Sequence, residues 1–286
     1  MKPLKDFIDP RTLETLILSA LAEDVRHGDA TVEATIPQES WSTSHLVAKE
    51  EGVVAGLEVF CLVFTRLNRE TQCTLHIQDG QRVHPGDRVA TLTGPSRALL
   101  TGERTALNFI GRLSGIASMA SRYAALTEGK KLTVIDTRKT TPGLRLLEKY
   151  AVQAGGCGNH RIGLFDMIML KENHIRTAGS IKDAVALCRS KKPGIPVEVE
   201  TTNCDEVREA VEAGADRIMF DNMDNETITE ALKIVAGRSE TEASGNMNTA
   251  RIQELADSGL DFISVGALTH SVRSLDLSLL FEHNRS

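Results

Sequence analysis

Five side chains that carry or can take up positive charge, Arg138, Lys139, His160, Arg161 and Lys171, stand close in sequence. The chain around them is acidic as a whole, with 33 Lys and Arg against 39 Asp and Glu. Gathered at one place, these groups would repel one another unless an anion joined them, so they point to a ligand with several negative groups. Lys171 follows the apolar run Met167-Ile168-Met169-Leu170 and so emerges from a buried strand rather than from a solvated loop. Glu200 and Asp221 oppose the basic set. Such carboxylates can hold magnesium, bind sugar hydroxyls or stabilise positive charge that develops in a transition state, and ion pairs with Lys139 and Lys171 are compatible with any of these uses. Two glycine turns, Ser244-Gly245-Asn246 and Ser264-Val265-Gly266-Ala267, each separate a strand from a helix. There the backbone can approach a ligand closely and helix N–H groups can face an anion, so a phosphate is expected. Phosphoribosyl transfer fits the whole set: an anionic diphosphate leaves, the ribose gains oxocarbenium character, and carboxylates lie beneath it.

The elements that must position these groups are legible from hydrophobic pattern. Asp9-Pro10 opens a first helix. From His45 to Leu92 short β-rich runs (His45–Ala48, Val53–Ala55, Thr74–Ile77, Arg88–Leu92) broken by glycine predict an antiparallel sheet module. Glu103 to Leu126 reads as one long helix. Short apolar strands then alternate with helices: Leu132–Asp136, Asp166–Leu170, Val197–Val199, Arg217–Phe220, Glu240–Ala243 and Phe262–Val265, with helices over Leu144–Val152, Ile181–Cys188, Asp205–Ala213, Ile228–Val235 and Ala250–Asp257. Continuous apolar strands in such alternation mean a buried parallel sheet. A charged group or a small glycine turn follows each of the six strands. Only a closed barrel brings all six ends to one mouth, whereas an open sheet shares a crevice between two strands. An α/β fold with a parallel β/α barrel is therefore expected.

The motifs match a family. Thr137-Arg138-Lys139-Thr140-Thr141-Pro142-Gly143-Leu144-Arg145, then Glu148–Val152, Asn159-His160-Arg161, Lys171-Glu172-Asn173-His174 and Ser264-Val265-Gly266-Ala267-Leu268-Thr269 closely resemble the quinolinate phosphoribosyltransferase family, as do Gly28-Asp29, Glu103–Phe109 and Leu113–Ala117. The resemblance runs from about Asp24 to Ser271. It implies that quinolinate and phosphoribosyl diphosphate give nicotinate mononucleotide, diphosphate and carbon dioxide in de novo NAD biosynthesis, with Mg2+. It also implies an incomplete barrel of about six strands beside an N-terminal α+β sandwich-like domain. The expected division is 1–112 for the N-terminal domain, joined by 272–286, and 113–271 for the barrel. The family's homodimers place Arg104 of one subunit in the neighbour's site. Carried over by position, Thr137, Arg138, His160 and Arg161 resemble quinolinate-binding residues, and Lys139 and Lys171 resemble contacts for the diphosphate end and the acid. Glu200 and Asp221 resemble the ribose and metal carboxylates; Ser244, Gly245, Asn246, Ser264, Val265, Gly266 and Ala267 resemble the 5′-phosphate cradle. Lys139, Lys171, Glu200 and Asp221 are the expected catalytic set.

Three positions depart from the family pattern. Asn246 stands where a second glycine is common, Glu172 replaces an aspartate, and Cys157-Gly158 replaces Gly-Arg, removing one positive charge from that loop. The alternatives are a sister phosphoribosyltransferase acting on another pyridine or small acid, and a non-catalytic metabolite-binding barrel. The acidic balance argues against nucleic-acid or anionic-membrane partners. Cys61, Cys73, Cys157, Cys188 and Cys204 form no C-x-x-C pair and are odd in number, so free thiols in a reducing compartment are expected rather than zinc or a disulfide framework. With neither a signal-peptide pattern nor a membrane-length apolar run, a cytoplasmic protein is expected.

Overall fold

The computed structural model describes residues 1–282; the last four positions of the expected 272–286 segment lie outside it. The chain forms two compact units. One gathers Met1–Ser121, Thr141–Gly156 and the segment from Leu268; the other gathers Arg122–Thr140 and Cys157–Ala267.

The first unit contains a four-stranded sheet in the order Leu277–Phe281, Trp41–Ala48, Arg88–Pro95, Gln72–Leu75. Trp41–Ala48 pairs antiparallel with both neighbours. Asp9 caps helix Pro10–Val25 by accepting from the N–H groups of Arg11 and Thr12. Within the stretch expected to be all sheet lies a helix, Leu57–Leu67, whose Leu57, Phe60, Val63 and Phe64 are buried. Its β-branched and aromatic residues favour strands by propensity, but their 3–4 spacing gives one apolar face, and burial decides. This helix lies in the same unit as strand Gln72–Leu75, and Cys61 and Cys73 are disulfide-bonded with Cα atoms 5.9 Å apart. That corrects the expectation of five free thiols; Cys157, Cys188 and Cys204 are not disulfide-bonded. The long helix begins at Ser96, not Glu103, and runs to Ala125. Gly102 lies inside it, where a Cβ would come within 3.0 Å of Leu67 and Phe64 side-chain atoms; the glycine serves close packing. Helix Arg145–Ala154 also belongs to this unit.

The second unit is the barrel. Its strands are β1 (Thr133–Ile135), β2 (Ile168–Leu170), β3 (Val197–Thr201), β4 (Arg217–Asp221), β5 (Glu240–Ser244) and β6 (Phe262–Ser264). All pair in parallel, in the order β1-β6-β5-β4-β3-β2. From β2 to β6 each strand lies beside its sequence neighbour, β6 pairs with β1, and the ring is interrupted only between β1 and β2. A doubly wound sheet would instead reverse direction at a switch point, so the order is that of an incomplete barrel. Helices Cys204–Glu212 and Asn225–Val235 start on the side-chain caps Asn203 and Asp224.

One expectation about the strands needs correction. They are not continuously apolar. In β3, Val197 and Val199 alternate with Glu198 and Glu200, and the parallel register sets Glu198 and Glu240 beside Arg217. Among the described residues no helix is long and apolar enough to cross a membrane.

Candidate active site

The strand ends of the second unit carry most of the expected residues. Past β1, Asp136 is fully buried. Its Oδ1 accepts from the His160 N–H at 2.8 Å and its Oδ2 from Asn159 Nδ2 at 3.0 Å. Gly158 forms a parallel bridge with Ile135, so the loop bearing His160 and Arg161 adds to the open edge of β1, beside Thr137, Arg138 and Lys139. Thr137 Oγ1 accepts from the Lys139 N–H at 3.1 Å, and Lys139 itself is exposed.

Arg161 donates to the Met167 carbonyl at 2.9 Å and reaches Met169 Sδ at 3.7 Å. Burial holds its pKa below the usual arginine range, and the charge of Arg138 lowers it further. Arg138 Nε is buried and has no hydrogen-bond partner in the described structure. Two guanidiniums near enough to repel each other, one with an orphaned donor, have the chemistry to take up an anion.

Just past β2, Lys171 Nζ meets Glu200 Oε2 of β3 at 2.5 Å. At the end of β4, Asp221 Oδ2 accepts from Asn222 Nδ2 at 2.8 Å. Asn222 in turn shapes the turn after β5: its N–H donates to the Ser244 carbonyl at 3.0 Å, and its side chain lies against Gly245. Gly245 has φ +90°, and a Cβ there would sit 2.2 Å from Asn222 Oδ1. Asn246 holds φ +51°, a conformation asparagine tolerates better than most residues. Arg251, unnoticed in the sequence, donates to the Gly245 carbonyl at 3.0 Å. Gly245→Ala should therefore cost about 1–3 kcal/mol through backbone strain and collision with Asn222, read as a lower midpoint in urea; an unchanged midpoint would show that the turn relaxes freely. In the second turn Val265 N–H is engaged, donating to the Ile135 carbonyl at 2.9 Å. Ser264 and Val265 are buried, while Gly266 and Ala267 are half-buried.

His160 lies deeper than the mouth, 6% exposed. Its Nδ1 accepts from the Arg161 N–H at 2.6 Å, and its Nε2 lies 3.1 Å from Glu198 Oε2 and 3.4 Å from Glu242 Oε2. Arg217 donates to Glu240 at 2.8 Å, lies 3.3 Å from Glu242 and sits 4.0 Å over the Phe262 ring. Sequence reading passed over Glu198, Glu242 and Arg217; the alternation in Val197-Glu198-Val199-Glu200 was the available signal. The ligand atoms of His160, Glu198 and Glu242 lie within 4.8 Å of one another, near enough to hold a divalent cation. Arg104 is exposed on helix Ser96–Ala125 of the first unit and is not among the residues gathered here.

Burial pushes Glu198 and Glu242 up to about 7, and for Glu242 repulsion by Glu198 adds to the rise. A carboxyl whose folded pKa exceeds its unfolded value of 4.5 binds more protons folded than unfolded. Stability contributed by its protonated form is thus present below 4.5 and lost as pH rises towards 7. Glu242→Gln removes this dependence, so the variant should gain melting temperature relative to the wild type between about pH 5 and pH 8. Parallel Tm curves would contradict the assignment.

Comparison with known proteins bears on this geometry. Residues 29–114 match the N-terminal domain and residues 116–280 the C-terminal domain of quinolinate phosphoribosyl transferase. A probable nicotinate-nucleotide pyrophosphorylase [carboxylating] of Bacillus subtilis is 43% identical over 268 residues, 93% of this chain and 92% of that protein. The crystal structure of NadC from Streptococcus pyogenes is similar at a TM-score of 0.92 and 44% identity, over 95% of this chain and 96% of that one. The nicotinate-nucleotide pyrophosphorylase of Francisella tularensis follows at 0.91 and 39%, over 96% and 98%. With both of its domains matched and relatives 39–44% identical over more than nine-tenths of its length, the chain belongs to the quinolinate phosphoribosyltransferase family.

Proposed function

We infer that the protein transfers the phosphoribosyl group of phosphoribosyl diphosphate to the ring nitrogen of quinolinate and releases the adjacent carboxylate as carbon dioxide. The products are nicotinate mononucleotide and diphosphate, in NAD biosynthesis. The observation that carries this reading is the buried, partnerless Arg138 Nε beside Arg161, a pair suited to two neighbouring carboxylates. Arginine's planar fork matches a carboxylate bidentately, and quinolinate presents two.

Arg138 and Arg161 hold the acid, with Thr137 shaping their loop. His160, expected beside them as a ligand contact, is better suited to support, since its ring nitrogens face Arg161 N–H and the buried carboxylates. Lys139 and Lys171 serve the diphosphate end, Lys171 starting from its ion pair with Glu200. Glu200 and Asp221 face the ribose as positive charge develops. The turns Ser244-Gly245-Asn246 and Ser264-Val265-Gly266-Ala267 cradle the 5′-phosphate. Attack by the pyridine nitrogen leaves a pyridinium that accepts the electrons of the departing carboxylate, so the protein need add little beyond orientation and exclusion of water.

Mg2+ is assigned to Glu200 and Asp221. Their donors are oxygens at a partly open mouth, as a hard cation that keeps waters and shares ligands with phosphates requires. The deeper His160–Glu198–Glu242 cluster offers a nitrogen donor and already faces the Arg217 cation. Bound at the mouth, Mg2+ would neutralise the diphosphate.

The assembly is a homodimer in which Arg104 enters the neighbouring site; Leu164 and Phe165, 73% and 72% exposed just after Arg161 in sequence, are apolar surface that a partner would cover. The boundary between N-terminal and barrel domains is placed at 112/113, near the junction of the two family matches. Cytoplasmic placement draws on the three cysteines outside any disulfide and is opposed by the Cys61–Cys73 bond, since disulfides are rare in reducing compartments.

Incubation with quinolinate, phosphoribosyl diphosphate and Mg2+ tests the reaction. Mononucleotide and carbon dioxide should form in equal amounts. Turnover of nicotinate but not quinolinate would replace this reading with that of the sister enzyme.

A further inference from the structure

We propose that Glu198, Glu242 and Arg217, inside the barrel, are positioning residues that fix the ring of His160, and through it the backbone of Arg161, for recognition of the dicarboxylate. The inference rests on the quinolinate reading above. None of these residues needs to touch substrate.

The geometry forms a chain of contacts. Arg217 is fixed by Glu240 at 2.8 Å and by the Phe262 ring, and it approaches Glu242 at 3.3 Å. Glu198 and Glu242 approach His160 Nε2 at 3.1 and 3.4 Å, ion-pair distances without the alignment of a hydrogen bond. The other ring nitrogen accepts the Arg161 N–H at 2.6 Å. An imidazole nitrogen that accepts an N–H carries no proton of its own, so the proton of the neutral ring is on Nε2, the nitrogen nearest the two carboxylates. The same tautomer disfavours a metal at Nε2. Asp136 holds the His160 N–H from the other side, and the Met167 carbonyl holds the Arg161 guanidinium. Arg161 is therefore fixed at its backbone and its tip, with donors remaining for a ligand.

The arrangement also accounts for buried charge. Removing one member of a buried ionic group leaves an uncompensated partner, and an inner face of leucine and valine would pack the barrel without that hazard. Three acidic or basic side chains at its centre call for a role that packing does not supply, and orientation of the His160 ring is one that these contacts perform.

The test separates orientation from stability. Glu198→Leu removes the carboxylate that faces Nε2 at 3.1 Å, whereas Glu198→Gln keeps an oxygen there. For the leucine variant KM for quinolinate should rise at least about tenfold, and KM for phosphoribosyl diphosphate should stay within about twofold. The glutamine variant should recover to within about threefold of wild type. Equilibrium binding of benzene-1,2-dicarboxylate, which has both carboxylates but no attacking nitrogen, should weaken in parallel. Unchanged affinity in folded Glu198→Leu protein, with only the active fraction reduced, would overturn the proposal. One measurement needs no variant: 15N NMR of wild-type His160 should show the Nε2-protonated neutral ring, and the Nδ1-protonated tautomer would equally overturn it. If the wild type does not consume quinolinate, the functional reading itself fails, whatever the tautomer.

Discussion

Replacing Arg138 with methionine should make the protein more stable and much less active. Arg138 Nε is buried without a partner, and an unsatisfied buried donor costs about 1–3 kcal/mol. Its charge also acts unfavourably on Arg161. Methionine fills similar volume without either cost, so the melting temperature should rise by about 2–4 °C for each kcal/mol regained. In the complex the same guanidinium would make two charge-assisted bonds to a carboxylate, worth about 1.5–3 kcal/mol each. Losing both lowers kcat/KM for quinolinate by about two to four orders of magnitude. The opposite signs are the content of the prediction. A structural arginine would lose stability and activity together, and a fall in Tm would remove Arg138 from the site. A site that gives up stability for function is where local rules are expected to be broken.

That strain marks the limit of what sequence could reveal. The strand–helix alternation and the polar strand ends were enough to choose a barrel, and the observed strand order agrees. The reason is general: apolar runs and the residues that punctuate them are local signals. Contacts within the barrel are not local. Glu198 and Glu242 stand in different strands, and nothing in either segment announces that both meet His160. Reading the strands as uniformly apolar hid them, although β3 alternates residue by residue. Helix Leu57–Leu67 was lost for the opposite reason, because strand propensity concealed a helical face that only packing exposes. The Cys61–Cys73 bond follows from that helix; without it the two positions had no reason to meet. Asn246, in contrast, stood out in the sequence as a position where a second glycine is common, and its φ of +51° is a local demand on that one residue.

A mixture of two nearly inactive variants should recover about a quarter of wild-type activity if the proposed dimer shares its sites. Take one chain with Arg104→Ala and another with Lys139→Ala. In each parent homodimer every site lacks one of the two groups. Random reassociation at equal amounts makes about half of the dimers mixed. In a mixed dimer one site draws Lys139 from the first chain and Arg104 from the second, and is intact, while the other site lacks both. Half the sites in half the dimers gives the expected quarter, against parents reduced by orders of magnitude. If instead Arg104 served the barrel of its own chain, no combination would assemble an intact site, and activity would stay at the parental level even with mixed dimers demonstrated by native mass spectrometry. The recovery follows from the route of a single arginine. It can therefore be measured without knowing how the two units of one chain are disposed, and the quarter is fixed by symmetry rather than by any estimate of binding energy.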